Sequence, residues 1–146
     1  MADTAPQSFE NHVRVVPAYH MGVLGIFAIN LFWSLYRVVK YPGADTLVSL
    51  LLAAAFILVF FYARVFALTV QDRVIRLEMQ LRLRQTLPAD LQSRIDDLTV
   101  KQLVALRFAS DEELPMLCRT VLNDRVADQK AIKKMIKKWR PDHLRA

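Results

Sequence analysis

The side chains best suited to chemistry in this sequence are three histidines and one cysteine. His12, His20 and His143 lie far apart along the chain, so they do not form the spacing of a metal or catalytic site. A haem held by two histidines would need a partner for His20 in the apolar region, and the sequence has none there. Cys118 has no neighbouring histidine and is expected to be a small core residue. As the single cysteine it forms no internal disulfide, which fits a reducing compartment.

The acidic pairs and the glycines do not indicate catalysis either. Asp96-Asp97 and Glu112-Glu113 are adjacent in sequence, and adjacent residues on a helix do not share a face, so these pairs are typical of helix caps and solvated charges. The motifs HExxH, GxGxxG and CxxC are missing, and three glycines are too few for a phosphate-binding loop. We therefore expect a protein that is not an enzyme, with no catalytic residue, cofactor or metal site.

The elements that would position any site differ sharply between the two halves of the chain. The 146 residues are 54% hydrophobic with a net charge of +6, and nearly all continuous apolar sequence lies between Tyr19 and Val70. A basic half beside an apolar half indicates an integral membrane protein with a soluble tail. Residues 1–18 are polar and contain Pro6 and Pro17, so we expect an N-terminal cytoplasmic arm and no cleavable signal.

Two apolar segments are long enough to cross a bilayer as helices. The uncharged run from Tyr19 to Tyr36 would span ~27 Å at ~1.5 Å per residue, close to the ~30 Å of a hydrocarbon core. We predict a transmembrane hairpin over residues 19–70, with spans at about 19–39 and 46–70. The turn at 40–45 contains Pro42-Gly43, and Asp45 or Thr46 can cap the second helix. The alternative is two buried helices of a soluble core, which the length disfavours.

Basic residues near the spans predict the orientation of the hairpin. The connecting turn carries Arg37 and Lys40. The opposite side carries a larger set, namely Arg14, Arg73, Arg76, Arg82 and Arg84. Both termini are therefore expected to be cytoplasmic, with the short turn outside.

Small and polar residues within the spans predict how the hairpin packs. The set comprises Gly22, Gly25, Asn30, Ala53 and Ala54. Small residues allow close backbone approach, and Asn30 is expected to hydrogen-bond a neighbouring helix for ~1 kcal/mol or less. Alternatively, Asn30 lines a polar transport pathway in an oligomer. Arg64 lies ~10 Å beyond the midplane of the second span, so its long side chain is expected to reach the cytoplasmic interface and contact lipid or a partner.

The segment after the second span alternates apolar and polar residues, which is a strand pattern when taken alone. As a helix, it presents one stripe of Val74, Leu77 and Leu81 and a second stripe of Ile75, Met79 and Leu83. Arg, Leu, Glu, Met and Gln are strong helix formers, and Glu78–Arg82 is a favourable i,i+4 pair. We predict a helical extension over residues 71–87. Its two stripes need two interfaces, one with the tail and one with the arm, a second copy or another subunit.

The tail is predicted to be a small cytoplasmic helical domain over residues 88–146, beginning where Pro88 interrupts the helix. Thr99 with Gln102 and Ser110 with Glu113 match the capping box. Because the tail is small for an independent core, we expect it to pack against the extension or a partner. A helix-turn-helix around "RFASDEEL" would point three acids at phosphates, so no nucleic acid partner is expected.

The last predicted helix, "DQKAIKKMIKKW", has the sharpest pattern in the tail. One face carries apolar residues, namely Ile132, Met135, Ile136 and Trp139, and the flanks carry Lys133, Lys134, Lys137 and Lys138. This pattern fits an amphipathic helix docked on the tail, with solvated lysines. It also fits contact with anionic lipid headgroups or an acidic partner.

Four strings carry a family resemblance: "QSFENHVRVVPAYH", "QDRVIRLEMQLRLRQTLP", "LVALRFASDEELP" and "AIKKMIKKWRPD". Together they resemble a family of uncharacterised small bacterial two-span membrane proteins, over nearly the whole chain. The resemblance implies a bacterial inner-membrane location and brings no catalytic residue, cofactor or substrate.

The sequence therefore predicts an all-α, multi-pass membrane protein in which the second span continues as a cytoplasmic helix into a bundle of short helices. Its function is expected to be that of a non-catalytic accessory or scaffold subunit in a homo-oligomer or larger membrane complex. The alternative is a membrane-surface sensor that binds anionic lipid through the lysine-rich C-terminal helix.

Overall fold

The computed structural model describes residues 8–10 and 16–142, and within them every regular element is a helix. A π-helical turn over Ala18–Val23 leads into α1, Leu24–Lys40, and a short turn leads into α2, Ala44–Thr86. The shorter helices are α3 (Ala89–Gln92), a 3-10 turn (Ile95–Asp97), α4 (Val100–Leu106), α5 (Leu114–Asn123) and α6 (Gln129–Met135). The all-helical prediction is confirmed for this part of the chain.

The alternating segment after the second apolar run is helical, because it lies within the 43 residues of α2. The strand pattern was therefore two helical stripes superimposed, as the helix-forming composition indicated. The chain divides into two compact units, Arg14–Leu68 and Met1–Val13 with Thr69–Ala146, which we call the hairpin unit and the tail unit. Helix α2 contributes residues to both units.

In the hairpin unit, α1 and α2 run antiparallel and contact through aromatic rings. Tyr19 stacks on Phe60 with ring centroids 4.4 Å apart, and its hydroxyl donates to the Phe60 carbonyl at 2.5 Å. Phe27 stacks on Phe56 at 5.2 Å. The Thr46 hydroxyl lies 3.0 Å from the Tyr41 carbonyl, so it closes the turn that connects the helices.

The small residues predicted to pack the hairpin have different surroundings. Ala53 is buried, and Ala54 is half-buried. A Cβ added at Gly22 or Gly25 would meet no atom within 4 Å. Neither glycine is therefore a point of close helix approach within this chain, which corrects that part of the prediction. The reason is that the bulkier aromatic pairs Tyr19–Phe60 and Phe27–Phe56 set the distance between the two helices at the end away from the connecting turn. Asn30 faces outward on α1.

The tail unit has one core, built where the end of α2 meets the short helices. Its largest fully buried side chains are Phe108, Leu83, Leu103, Leu106, Leu114 and Ile132. The predicted capping box at Thr99 is confirmed: its hydroxyl accepts from the Gln102 amide at 3.3 Å, and the Gln102 side chain accepts from the Thr99 amide. The side-chain amide of Gln102 also donates to the Val126 carbonyl at 2.9 Å, which connects this helix start to the segment after α5.

Candidate interaction surface

The tail-unit part of α2 has two apolar faces with opposite environments. Ile75, Met79 and Leu83 are buried in the tail core. Val74, Leu77 and Leu81 are exposed, with Leu77 at 63% against 0% for Leu83. Because residues three or four apart lie on one side of a helix, these two sets lie on opposite sides. One of the two predicted stripes therefore meets the chain's own tail, and the other faces outward.

We define the α2 seam as the exposed side chains Val70, Val74, Leu77 and Leu81, which follow one another at spacings of four, three and four. This spacing keeps the four side chains on one narrow side of the helix. Arg73 and Glu78 flank the seam on its two sides, and both are exposed. The seam is an apolar surface with charged borders, which is the usual composition of a helix that binds another helix.

The sequence holds a signal that indicates which of the two stripes becomes buried. The Ile75 stripe continues at spacing four to Leu87, which is also buried, and then reaches Leu91. The seam stops at Leu81, because Arg84 follows on that side. A stripe that reaches the next element of the chain can pack against it, whereas a stripe that stops earlier cannot.

Arg82 holds the core of the tail unit together from α2. Its guanidinium donates to the Arg107 carbonyl at 3.0 Å, to the Ala109 carbonyl at 2.7 Å and to the Asp111 carboxylate at 2.7 Å. The sequence predicted an i,i+4 pair between Arg82 and Glu78 instead, and that prediction is wrong. Backbone carbonyls fixed by the fold outcompete a flexible exposed carboxylate, because they satisfy several donors of the planar guanidinium at once.

The chain after α6 is extended and pairs with the segment that Arg82 holds. The Ser110 amide donates to the Lys138 carbonyl at 3.1 Å, and the Arg140 amide donates to the Phe108 carbonyl at 2.7 Å. An isolated antiparallel bridge joins Ala109 to Trp139. The predicted final helix therefore ends at Met135 rather than near Trp139, since these tertiary hydrogen bonds replace the last helical turn.

Glu113 stabilises this extended segment rather than a capping box. Its carboxylate accepts from the Lys137 amide at 3.2 Å and from the Lys138 amide at 3.1 Å. The predicted Ser110 cap of α5 is therefore wrong, and the helix begins at Leu114 without a side-chain cap. No local sequence pattern announces a carboxylate that caps amides 24 and 25 residues away.

The lysine-rich segment, residues 129–139, directs most of its apolar residues into the tail unit. Ile132 and Ile136 belong to the tail core, and Trp139 packs on Phe108 with ring centroids 4.9 Å apart. This segment therefore keeps exposed positive charge, while most of its apolar face is covered by the tail.

The predicted contact lysines have neighbours within the tail unit. Lys133 lies 5.3 Å from the centroid of the Phe108 ring, and Lys134 lies 5.7 Å from that of Phe9. Lys138 pairs with Glu112 at 2.5 Å. The hydrogen bond and charge of Lys138 lower the pKa of the Glu112 carboxyl, and the same pair raises the pKa of Lys138. Arg64, the remaining predicted contact, is half-buried on α2 in the hairpin unit.

A groove of about 810 Å³ opens beside the buried face of α2. Its charged lining comprises three arginines and three acids, namely Arg82, Arg107, Arg140, Glu78, Asp111 and Asp142. Arg107 Nε lies 3.1 Å from the Asp142 carboxylate, and Arg140 lies 3.7 Å from Asp111. The charges balance within the groove, so its electrostatics do not select an anion or a cation.

The candidate chemical residues have structural surroundings. Cys118 is buried in the core, and burial raises the pKa of its thiol to about 12, so the nucleophilic thiolate is scarce at neutral pH. Asp96 accepts from Gln80 at 3.2 Å, and Asp97 pairs with Arg94 at 3.5 Å. No cluster of three potential metal-ligating residues occurs within residues 8–10 and 16–142, and His12 and His143 lie outside these ranges.

Helices Ala18–Lys40 and Ala44–Thr86 are both long and apolar enough to cross a membrane. No curated protein and no solved structure matches the chain. A family model matches it over residues 1–146, so the chain belongs to DUF6526, a family of unknown function.

Proposed function

We propose that this protein is a non-catalytic accessory or scaffold subunit of the bacterial inner membrane, which binds partner proteins through the α2 seam. The observation that carries the proposal is the outward direction of apolar side chains in both units. In the hairpin unit, Ile29 is 72% exposed and Val59 is 62% exposed. A core helix of a soluble protein would bury such residues, at about 1.5–3 kcal/mol each. Lipid covers them in a bilayer.

Helix lengths support the same proposal. The 23 residues of Ala18–Lys40 span about 35 Å, enough for a hydrocarbon core of about 30 Å. The 43 residues of α2 span about 65 Å, so roughly half of this helix extends beyond the lipid. The apolar part of α2 is followed by its arginine-rich part, and this charge distribution favours a cytoplasmic tail.

The tail unit supports a binding role over a catalytic one. The tail covers one apolar stripe of α2 and leaves the seam exposed. The exposed seam is therefore available to a second binding partner. Cys118 is buried, and several of the acids are engaged in ion pairs. Binding of anionic lipid by the lysine-rich segment receives less support, because insertion needs an apolar face and the tail core already covers Ile132 and Ile136.

Two measurements on the full chain in its native membrane test the proposal. The protein should stay in the membrane pellet after an alkaline carbonate wash. A photo-crosslinking amino acid in place of Leu77 should form protein adducts, whereas the same probe in place of Lys101, exposed on α4, should form few. Release by the wash would refute the membrane assignment. Equal or absent adducts at both positions would refute binding through the seam.

A further inference from the structure

We propose that the partner of the α2 seam is the same seam of a second copy, packed parallel and in register. This inference rests on the proposed function, because insertion in one membrane orients two copies in the same sense. It adds the identity of the partner and the geometry of the contact.

The spacing of the seam fits a two-helix contact. Val70 and Leu77 lie seven residues apart, as do Val74 and Leu81, and a seven-residue repeat keeps two helices in contact as they wind around each other. In that repeat, Val74 and Leu81 take the a positions, and Val70 and Leu77 take the d positions.

The charges beside the seam fit a parallel copy and not an antiparallel one. Arg73 takes the g position and Glu78 the following e position, five residues later. In a parallel pair, the g position of one helix faces the e position five residues later on the other helix. Arg73 of each copy therefore faces Glu78 of the other copy, which gives two ion pairs. The next such pair joins Gln80 to Gln85, which is neutral. An antiparallel pair would bring g beside g and e beside e, and these two ion pairs would be lost.

Both flanking side chains can make this contact. Arg73 and Glu78 are exposed, and within the described residues neither forms an ion pair with its own chain. The seam is short, at about 16 Å from Val70 to Leu81. Anchoring in one membrane raises the effective concentration of the two copies, so a short seam suffices where a soluble peptide of this length would separate.

Disulfide trapping in native membranes tests the pair. Val70→Cys and Leu81→Cys, made separately in the full chain, should each give a covalent dimer upon mild oxidation. Arg76→Cys, exposed on another side of the same helix, should give little. The native Cys118 does not interfere, because it is buried. In a parallel pair, position 70 lies next to position 70 of the other copy, and position 81 next to position 81. An antiparallel pair can bring at most one of these positions next to its equivalent.

Charge reversal supplies the second arm. In the Leu81→Cys background, Glu78→Arg should lower the dimer yield at least about threefold, and adding Arg73→Glu should restore it. A dimer at one seam position alone, or no rescue by the double reversal, would overturn the parallel pair. If the Leu77 probe captures other proteins while the cysteines give no dimer, this inference fails and the proposed function stands. If the carbonate wash releases the protein, the proposed function itself fails.

Discussion

Replacement of Arg82 by Met should loosen the contact between residues 107–111 and the extended C-terminal segment. The arginine side chain donates to two backbone carbonyls and one carboxylate, and its exposed fraction is 15%. Hydrogen bonds from a charged group contribute about 1.5 kcal/mol each at the lower end of their range. The ion pair adds at most about 1 kcal/mol, because Asp111 is largely exposed. The expected loss is therefore about 3 kcal/mol.

Amide hydrogen exchange of the full chain in detergent measures this loss directly. The Ser110 and Arg140 amides report on the contact, because they donate to the Lys138 and Phe108 carbonyls. A loss of about 3 kcal/mol corresponds to about 100-fold faster exchange at both amides, if they exchange through local opening. Arg82→Lys should also accelerate exchange, because an ammonium group cannot replace the planar fork.

Arg76→Met is the matched control, since it removes the same charge from the same helix at an exposed position. It should change exchange less than about threefold, as surface substitutions usually do. The reasoning would be refuted if Arg82→Met stayed within threefold of the wild type. It would also be refuted if Arg76→Met had an equal effect, because general charge rather than the hydrogen bonds would then be responsible.

Three further predictions follow from burial and topology. Leu83→Ala should lower the free energy of unfolding of the tail by about 2–5 kcal/mol in urea titrations, whereas Leu77→Ala should cost the monomer well under 1 kcal/mol, since only Leu83 is buried. Because burial raises the pKa of Cys118 to about 12, the native state keeps a thiol proton that the unfolded state loses above pH 9. The free energy of unfolding should therefore fall by about 2 kcal/mol between pH 9 and 10.5. Cys118→Ala should remove this part of the decline, and an unchanged decline in that variant would contradict the prediction. Gly43→Cys should react with a membrane-impermeant maleimide from outside intact cells, and Ser93→Cys only after lysis; the reverse pattern would invert the proposed topology.

Some features could be predicted because their causes lie within a few residues of sequence. The helical extension followed from its composition, and the Thr99–Gln102 capping box followed from a spacing of three. The two apolar stripes of α2 are likewise fixed by helical periodicity. These interactions are local, so the order of residues specifies them without knowledge of the fold.

The features that were missed join residues far apart in sequence. Arg82 could have paired with Glu78, and Glu113 could have joined a capping box with Ser110. Both side chains instead bind backbone groups 24 to 27 residues away. A backbone carbonyl or amide carries no residue-specific signature, so no sequence pattern marks it as a partner.

By itself, the sequence determined that this chain is helical, that two helices are apolar enough for a membrane, and that α2 has two apolar stripes in its polar half. Only the tertiary structure decided which stripe is covered, where the last helix stops, and how the lysine-rich segment is turned. The physical reason is competition: residues 137–140 exchange helical hydrogen bonds for bonds to residues 108–113, and the outcome depends on surfaces that exist only after folding.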